Sequence, residues 1–322
     1  MNRSPLIRRA LRSTAVALVA LLCLSACTGD DGVDGAKYEI AGGDPSGVYY
    51  NYGQHLAEAV QRELGLDTQV VRTQGSVENL QLVGSGKALL GFAQGDTAVD
   101  AVLGEGRFAD PLPVRAVARV YDEYVHVVVP ADSEVRKISD LAGRRVSLGA
   151  ENSGVQVIAT RMLDAAGVGL GDVTNLGFGL DQSIEAMQLG EIEAFFWVGG
   201  LPTPGIVRLE KTMPIRLLSI DAALVERVNE GHAGVYQLAD FPVGFYGLEG
   251  ATVTMTVPNY LIAAASAPDD VVYNVLRVLF DVRTSIARSV PAAAYLDRRQ
   301  AIFTGPIELH EGAAKYYVDT RR

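Results

Sequence analysis

The feature that most constrains the fold is a regular alternation of short apolar strands and amphipathic helices. Strand 37–41 leads through a glycine- and serine-containing turn into a helix over 48–64, whose apolar residues recur at helical spacing. Strand 68–73, helix 77–85 and strand 88–93 follow. Strands that alternate with helices predict a parallel α/β sheet.

The same order of elements returns in the second half of the chain. Strands over 114–120 and 124–129 precede strand 145–148, a second turn that contains serine and glycine, and a helix over 155–166. The two turns are Asp44-Pro45-Ser46-Gly47 and Glu151-Asn152-Ser153-Gly154. This internal repeat predicts two similar α/β lobes.

Each of these turns places a serine and a glycine at the start of a helix. The first turn of a helix carries unpaired backbone N–H groups and the positive end of the helix dipole. Two such helix starts, one in each lobe, could hold a carboxylate across a cleft. Alternatively, Ser46 and Ser153 are ordinary N-caps, which are common. Their equivalent positions in the two halves favour the ligand-binding interpretation.

The N-terminus has the pattern of a bacterial lipoprotein export signal. A head with four arginines precedes an apolar run over 15–22, and small residues then lead to Cys27. We expect residues 1–26 to be removed as a signal peptide, a lipid to be attached to Cys27, and 27–36 to form a flexible linker. The protein would then be extracytoplasmic and held to the cell membrane by its lipid anchor only. A plain secretory signal with an incidental cysteine is the alternative.

Composition argues against several classes of function. The 322-residue chain has a formal net charge of −10, which disfavours nucleic acid as a partner. Cys23 and Cys27 are the two cysteines, and both lie in the N-terminal segment, so the folded part has no disulfide, thiol nucleophile or thiolate metal site. The four histidines lie far apart and show no metal-ligand spacing. We expect neither a cofactor nor a metal.

An exported hydrolase is the main enzymatic alternative. The sequence contains no G-x-S-x-G nucleophile elbow, and its first glycine-rich turn does not fit the G-x-G-x-x-G pattern of a dinucleotide enzyme. These missing motifs favour a binding protein over an enzyme.

A family resemblance extends from Tyr38 to Tyr317. It is carried by the segments GGDPSGVYYNYGQHLAEAV, QGSVENLQLVGSGKALLGFAQGDTA, VSLGAENSGVQVIATRML, IEAFFWVGGLPTPGI, VPNYLI and ELHEGAAKYY. These segments resemble the TAXI family of extracytoplasmic solute receptors, which are associated with TRAP transporters. The resemblance implies an α/β, two-lobed type II periplasmic-binding-protein fold, with hinge-linked lobes and a ligand cleft between them.

The resemblance also implies what the protein binds. We expect a monomer that captures a small carboxylate, such as glutamate or 2-oxoglutarate, and delivers it to a TRAP-type permease. A receptor that presents its ligand to a membrane sensor protein is the alternative. The candidate ligand-binding residues are those that match the family segments: Gly43, Ser46, Gly47, Val48, Tyr49, Ser76, Glu78, Asn79, Gln94, Asp96, Asn152, Ser153, Gly154, Trp197 and Gly199.

Some of these candidates also have local interpretations. Glu78 lies in the first turn of a predicted helix, where the dipole favours an acid, and Asp96 could fasten a turn. Arg72 and Arg119 lie near predicted strand ends and are the candidates to neutralise a carboxylate. Trp197 ends a strand beside two glycines, a position where open α/β sheets bind ligands.

The expected hinges divide the chain into segments. We predict that 37–121 forms the first part of lobe I and that 122–252 forms lobe II. Residues 253–322 then return through the hinge to complete lobe I, which includes an amphipathic helix over 269–288. Residues 221–250 show irregular glycine and proline placement and receive no predicted element.

Overall fold

The computed structural model describes residues 37–232, 234–248 and 250–321. The predicted signal peptide, Cys27 and the linker lie outside the described residues. In the described part, none of the helices combines the length and the apolarity that a bilayer crossing demands.

One mixed sheet connects both halves of the described chain. Its main path runs in the order β2-β1-β3-β10-β4-β7-β5-β6, while β8 pairs with β4 and β9 pairs with β10. The strands are β1 (Tyr38–Ala41), β2 (Thr68–Val71), β3 (Leu90–Gln94), β4 (Val114–Pro130), β5 (Arg145–Ser147), β6 (Thr174–Asn175), β7 (Ala194–Gly199), β8 (Ile215–Leu217), β9 (Gln237–Phe241) and β10 (Thr252–Ala264).

Helices cover this sheet, and most of them begin where a strand has just ended. The α-helices are α1 (Val48–Leu64), α2 (Ser76–Gly84), α3 (Gly95–Leu103), α4 (Gly154–Ala165), α5 (Leu180–Gln188), α6 (Pro204–Glu210), α7 (Ala222–Asn229), α8 (Asp269–Ile286) and α9 (Glu311–Asp319). The segment 221–250, for which the sequence predicted no element, contains α7 and β9.

The long antiparallel strands β4 and β10 lie at the centre of the sheet. They pair from Thr256 with Tyr124 to Ala264 with Val114, with register shifts after Asn259 and after Leu261. The sequence predicts two separate strands over 114–120 and 124–129, and this is wrong. The acidic pair between them does not break the strand, because the chain keeps pairing with β10 through these residues.

The apolar core lies on both sides of this crossing. On one side, α1, α8 and α9 pack with one end of β4 and β10, and α2 and α3 pack with β1 and β3. On the other side, α4 to α7 pack with β5, β7 and the opposite end of β4. We call these parts lobe I and lobe II. The predicted boundary at 121/122 falls inside β4, so the two lobes share the strand that joins them.

Candidate ligand-binding cleft

A cleft of about 540 Å³ lies between lobe I and lobe II. Its walls come from the loops that follow the strands and from the first turns of the helices. Of the residues that the sequence predicts as ligand contacts, those that line this cleft are Gly43, Gly47, Val48, Tyr49, Ser76, Glu78, Gln94, Ser153, Gly154, Trp197 and Gly199.

The starts of four helices converge on the cleft. In lobe I these are the first turns of α1, at Gly47, and of α2, at Gly75. In lobe II they are the first turns of α4, at Ser153, and of α5, at Gly179. Each helix start presents backbone N–H groups and partial positive charge, so their convergence favours an anionic group in the cleft.

One cationic side chain adds to the partial positive charge of the helix starts. Among the described residues that line the cleft, Arg72 is the one arginine, and none is a lysine. It follows β2 and is largely exposed. Arg119, the other arginine that the sequence suggested, faces elsewhere: its guanidinium donates to Asp122 Oδ1 at 2.6 Å. Of the two arginines, Arg72 is therefore the one placed to neutralise a ligand carboxylate.

The floor of the cleft is a buried polar network around Glu123. The Tyr49 hydroxyl donates to Glu123 Oε2 at 2.9 Å and accepts from Asn259 Nδ2 at 2.6 Å. Tyr121 donates to Glu123 Oε1 at 3.4 Å, and the Gln94 side chain lies beside this carboxyl group. Burial raises the pKa of Glu123 to about 8, because a charged carboxylate is poorly solvated there.

Trp197 forms part of the lobe II wall and touches lobe I. Its indole Nε1 donates to Thr203 Oγ1 at 3.1 Å, and the Thr203 backbone N–H donates to the Tyr246 hydroxyl at 2.7 Å. A Cβ placed on Gly47 would lie 3.1 Å from Trp197 Cζ2, so the indole ring packs against the start of α1. The space at Gly199 is tighter still, since a Cβ there would lie 2.6 Å from Trp197 Nε1.

Four predicted ligand residues do not line the cleft: Ser46, Asn79, Asp96 and Asn152. Ser46 contacts the opposite lobe instead. Its hydroxyl donates to Asp181 and accepts from Arg208 Nη2 at 2.6 Å. Asn79 is buried beneath the cleft, where its Nδ2 donates to the Phe92 carbonyl oxygen at 2.8 Å. Its role is to join α2 to β3.

Asp96 and Asn152 also join the two lobes. Asp96 is buried and accepts from Arg161 Nη1 at 2.8 Å, while the second nitrogen of the same guanidinium donates to Asp100 at 2.6 Å. The Asn152 carbonyl oxygen accepts from the Glu78 backbone N–H at 3.1 Å. Lobe-to-lobe contacts therefore account for both residues.

The sequence did not identify two features of the cleft. Glu123 is one, because an acid inside a strand resembles a solvent-facing residue, and its neighbour Asp122 is indeed half-exposed. The start of α5 is the other, since Gly179 and Leu180 carry no recognisable turn motif. A signal for Glu123 did exist: a pair of acids flanked by tyrosines in a mostly apolar strand is atypical of an exposed edge. Across the described residues, no group of three histidine, cysteine or acidic side chains is placed to hold a metal ion.

A model of the NMT1-like family matches residues 40–320. The alkanesulfonate-binding protein SsuA from Xanthomonas axonopodis pv. citri, solved bound to MOPS, is 16% identical, with a TM-score of 0.50 over 88% of this chain and 83% of that one. PhnD1 from Prochlorococcus marinus, in complex with methylphosphonate, is 12% identical, with a TM-score of 0.54 over 88% of this chain and 94% of that one. These matches confirm the predicted two-lobed α/β solute-binding fold.

Proposed function

The chain belongs to the NMT1-like family, and from that premise we propose that it is an extracytoplasmic solute receptor for a small carboxylate, not an enzyme. The convergence of four helix starts and Arg72 on one cleft is the observation that supports this proposal best. Backbone N–H groups and a guanidinium are the donors that a carboxylate prefers. Contacts from both lobes would allow such a ligand to stabilise the closed form.

We further propose that the captured solute passes to a TRAP-type permease. The segments that resemble the TAXI family support this partner. The export signal before Cys27 supports a lipid-anchored location. Mass spectrometry of the membrane-extracted protein tests the anchor, because a diacylated cysteine should form its N-terminus. A neighbouring gene for a large multi-span permease would favour transport, whereas a sensor kinase gene would favour a signalling receptor.

A thermal-shift screen followed by calorimetry tests the ligand class. Glutamate, 2-oxoglutarate and C4-dicarboxylates should raise the melting temperature, because a ligand that binds the folded state stabilises it. Trp197, the sequence's one tryptophan, supplies a second signal, since closure should change the polarity around its indole. Binding of neutral sugars alone would contradict the proposal.

Arg72 gives this proposal a matched pair of variants. Arg72→Gln should weaken carboxylate binding about tenfold or more, as expected for loss of a charge-assisted hydrogen bond. Arg119→Gln is the control, since Arg119 pairs with Asp122 away from the cleft. Equal affinities in both variants would show that Arg72 does not hold the ligand.

A further inference from the structure

The cleft floor contains a buried acid without a cationic partner. Glu123 lies in β4, where the strand passes from lobe I to lobe II, and it is 1% exposed. No arginine or lysine of the described chain forms an ion pair with it. The charged group that acts on it is Asp96, a second acid, which raises its pKa further.

The groups around Glu123 are arranged to donate hydrogen bonds to it. Tyr49 from α1 and Tyr121 from β4 donate their hydroxyl hydrogens to its carboxyl oxygens, and the Gln94 side chain from β3 lies beside them. Gln94 Oε1 is buried and has no hydrogen-bond partner among the described residues. Both Glu123 and Gln94 line the cleft. The floor therefore offers acceptors to a ligand, in contrast to the helix starts, which offer donors.

A buried carboxylate without a counter-ion is costly, and a protein avoids this cost by keeping the group protonated or by binding a cation. The donors around Glu123 suit its ionised form, because they leave it acting as an acceptor. A ligand cation would supply the missing counter-ion and would also satisfy Gln94 Oε1. Against the ionised form of Glu123, a second carboxylate or a carbonyl oxygen of the ligand would instead meet an acceptor.

We infer that the floor formed by Glu123, Gln94 and Tyr49 binds a protonated amine, so that the ligand is an aminated carboxylate such as an α-amino acid and not the corresponding oxo acid. This inference rests on the proposed function, since the helix starts and Arg72 hold the carboxylate end. On binding, the proton of the Glu123 carboxyl group passes to solvent, and the ligand ammonium keeps its own three protons. Carboxylate and ammonium then form an ion pair inside the cleft.

Matched pairs of ligands test this selectivity on the full-length chain. The pairs are alanine with pyruvate, glutamate with 2-oxoglutarate, and leucine with 4-methyl-2-oxopentanoate. Within the pair that binds, calorimetry should give the amino acid about tenfold or higher affinity, the usual effect of a hydrogen-bonded charge. Glu123→Gln should remove this advantage by lowering the affinity for the amino acid. It should change the affinity for the oxo acid by less than about threefold.

Asp122→Asn is the matched control, because Asp122 is the adjacent acid of β4 and faces Arg119 instead of the cleft. It should keep the wild-type preference. An oxo acid that binds as tightly as its amino acid would overturn the inference and leave the proposed function standing. An equal loss of affinity for both ligands in Glu123→Gln would have the same consequence. If no carboxylate binds at all, the proposed function fails as well.

The pH dependence of the wild-type protein provides a test that needs no variant. Below a pKa of about 8 the ionised fraction of Glu123 rises about tenfold per pH unit, so amino acid affinity should rise with pH and level off above about 8. The groups that face Glu123 are Tyr49, Tyr121 and Asp96, with neutral Gln94 beside them. The oxo acid should lack this rise. Heats measured in buffers of different ionisation enthalpy should show proton release with the amino acid alone, and identical pH profiles for the two ligands would contradict the inference.

Discussion

The two turns that repeat in the sequence are used differently in the two lobes. In lobe II, Ser153 is the N-cap of α4, and its Oγ accepts from the Gln156 backbone N–H at 3.1 Å. In lobe I, the N-cap of α1 is Gly47, one position later in the turn, and it has no side-chain cap. Ser46 is thereby released from capping, and its hydroxyl crosses the cleft to Asp181.

Asp44 explains why the lobe I turn differs. Its Oδ1 accepts from the Ser46 backbone N–H at 2.8 Å, and its carbonyl oxygen accepts from the Gly47 N–H at 2.9 Å. Asp44 therefore closes this turn by itself, which leaves the serine hydroxyl available. One short sequence pattern therefore serves local capping in one lobe and contact between the lobes in the other.

The largest expected effect comes from the glycines of the two turns. A Cβ on Gly154 would collide with Gln94 Oε1 and would lie 2.8 Å from Ser76 Oγ, both in the opposite lobe. Gly154→Ala should therefore hinder closure and weaken carboxylate binding about tenfold or more, in line with an overpacking cost of about 1–3 kcal/mol. Calorimetry with the carboxylate that most raises the melting temperature measures this effect.

Gly47→Ala is the matched variant in lobe I. Its Cβ would lie 3.1 Å from the edge of the Trp197 ring, a contact that a small shift relieves. We expect this variant to lose about threefold or less in carboxylate affinity. If Gly47→Ala weakens binding more than Gly154→Ala does, the closest approach of the lobes is not at the start of α4.

The next largest effect is the loss of a helix cap, which is measured as a change in the free energy of unfolding. Ser153→Ala removes the side-chain cap of α4 and should cost about 1 kcal/mol. That loss should lower the melting temperature by a few degrees. Ser46→Ala removes no cap and should lower it less. Equal shifts in the two variants would mean that both serines act in the same way.

The sequence predicted much of the fold because hydrophobic periodicity is a local property. The helix predicted over 48–64 has those bounds in the structure, and the amphipathic helix predicted over 269–288 is present as α8 (Asp269–Ile286). What could not be predicted depends on partners far along the chain. Asp96 resembles a ligand residue until Arg161, 65 positions later, is seen to pair with it. The direction of a side chain such as Arg72 is likewise set by tertiary packing.

The smallest expected effect is the coupling between Ser46 and its partners across the cleft. Arg208 and Asp181 are about half-exposed, at 59% and 47%, and their nearest charged atoms are 3.3 Å apart. Exposed ion pairs of this kind contribute about 0.2–1 kcal/mol and are screened by salt. A double-mutant cycle of Ser46→Ala with Arg208→Gln should therefore give a coupling in ligand affinity near the lower end of that range at low ionic strength. In about 1 M salt, where the Debye length is about 3 Å, the ionic part of the coupling should fade and leave the serine hydrogen bonds.

The same cycle with Ser153→Ala in place of Ser46→Ala should give no coupling, because Ser153 forms its hydrogen bonds within its own lobe. Coupling of Arg208 to Ser153 as strong as to Ser46 would remove the distinction between a capping serine and a bridging one.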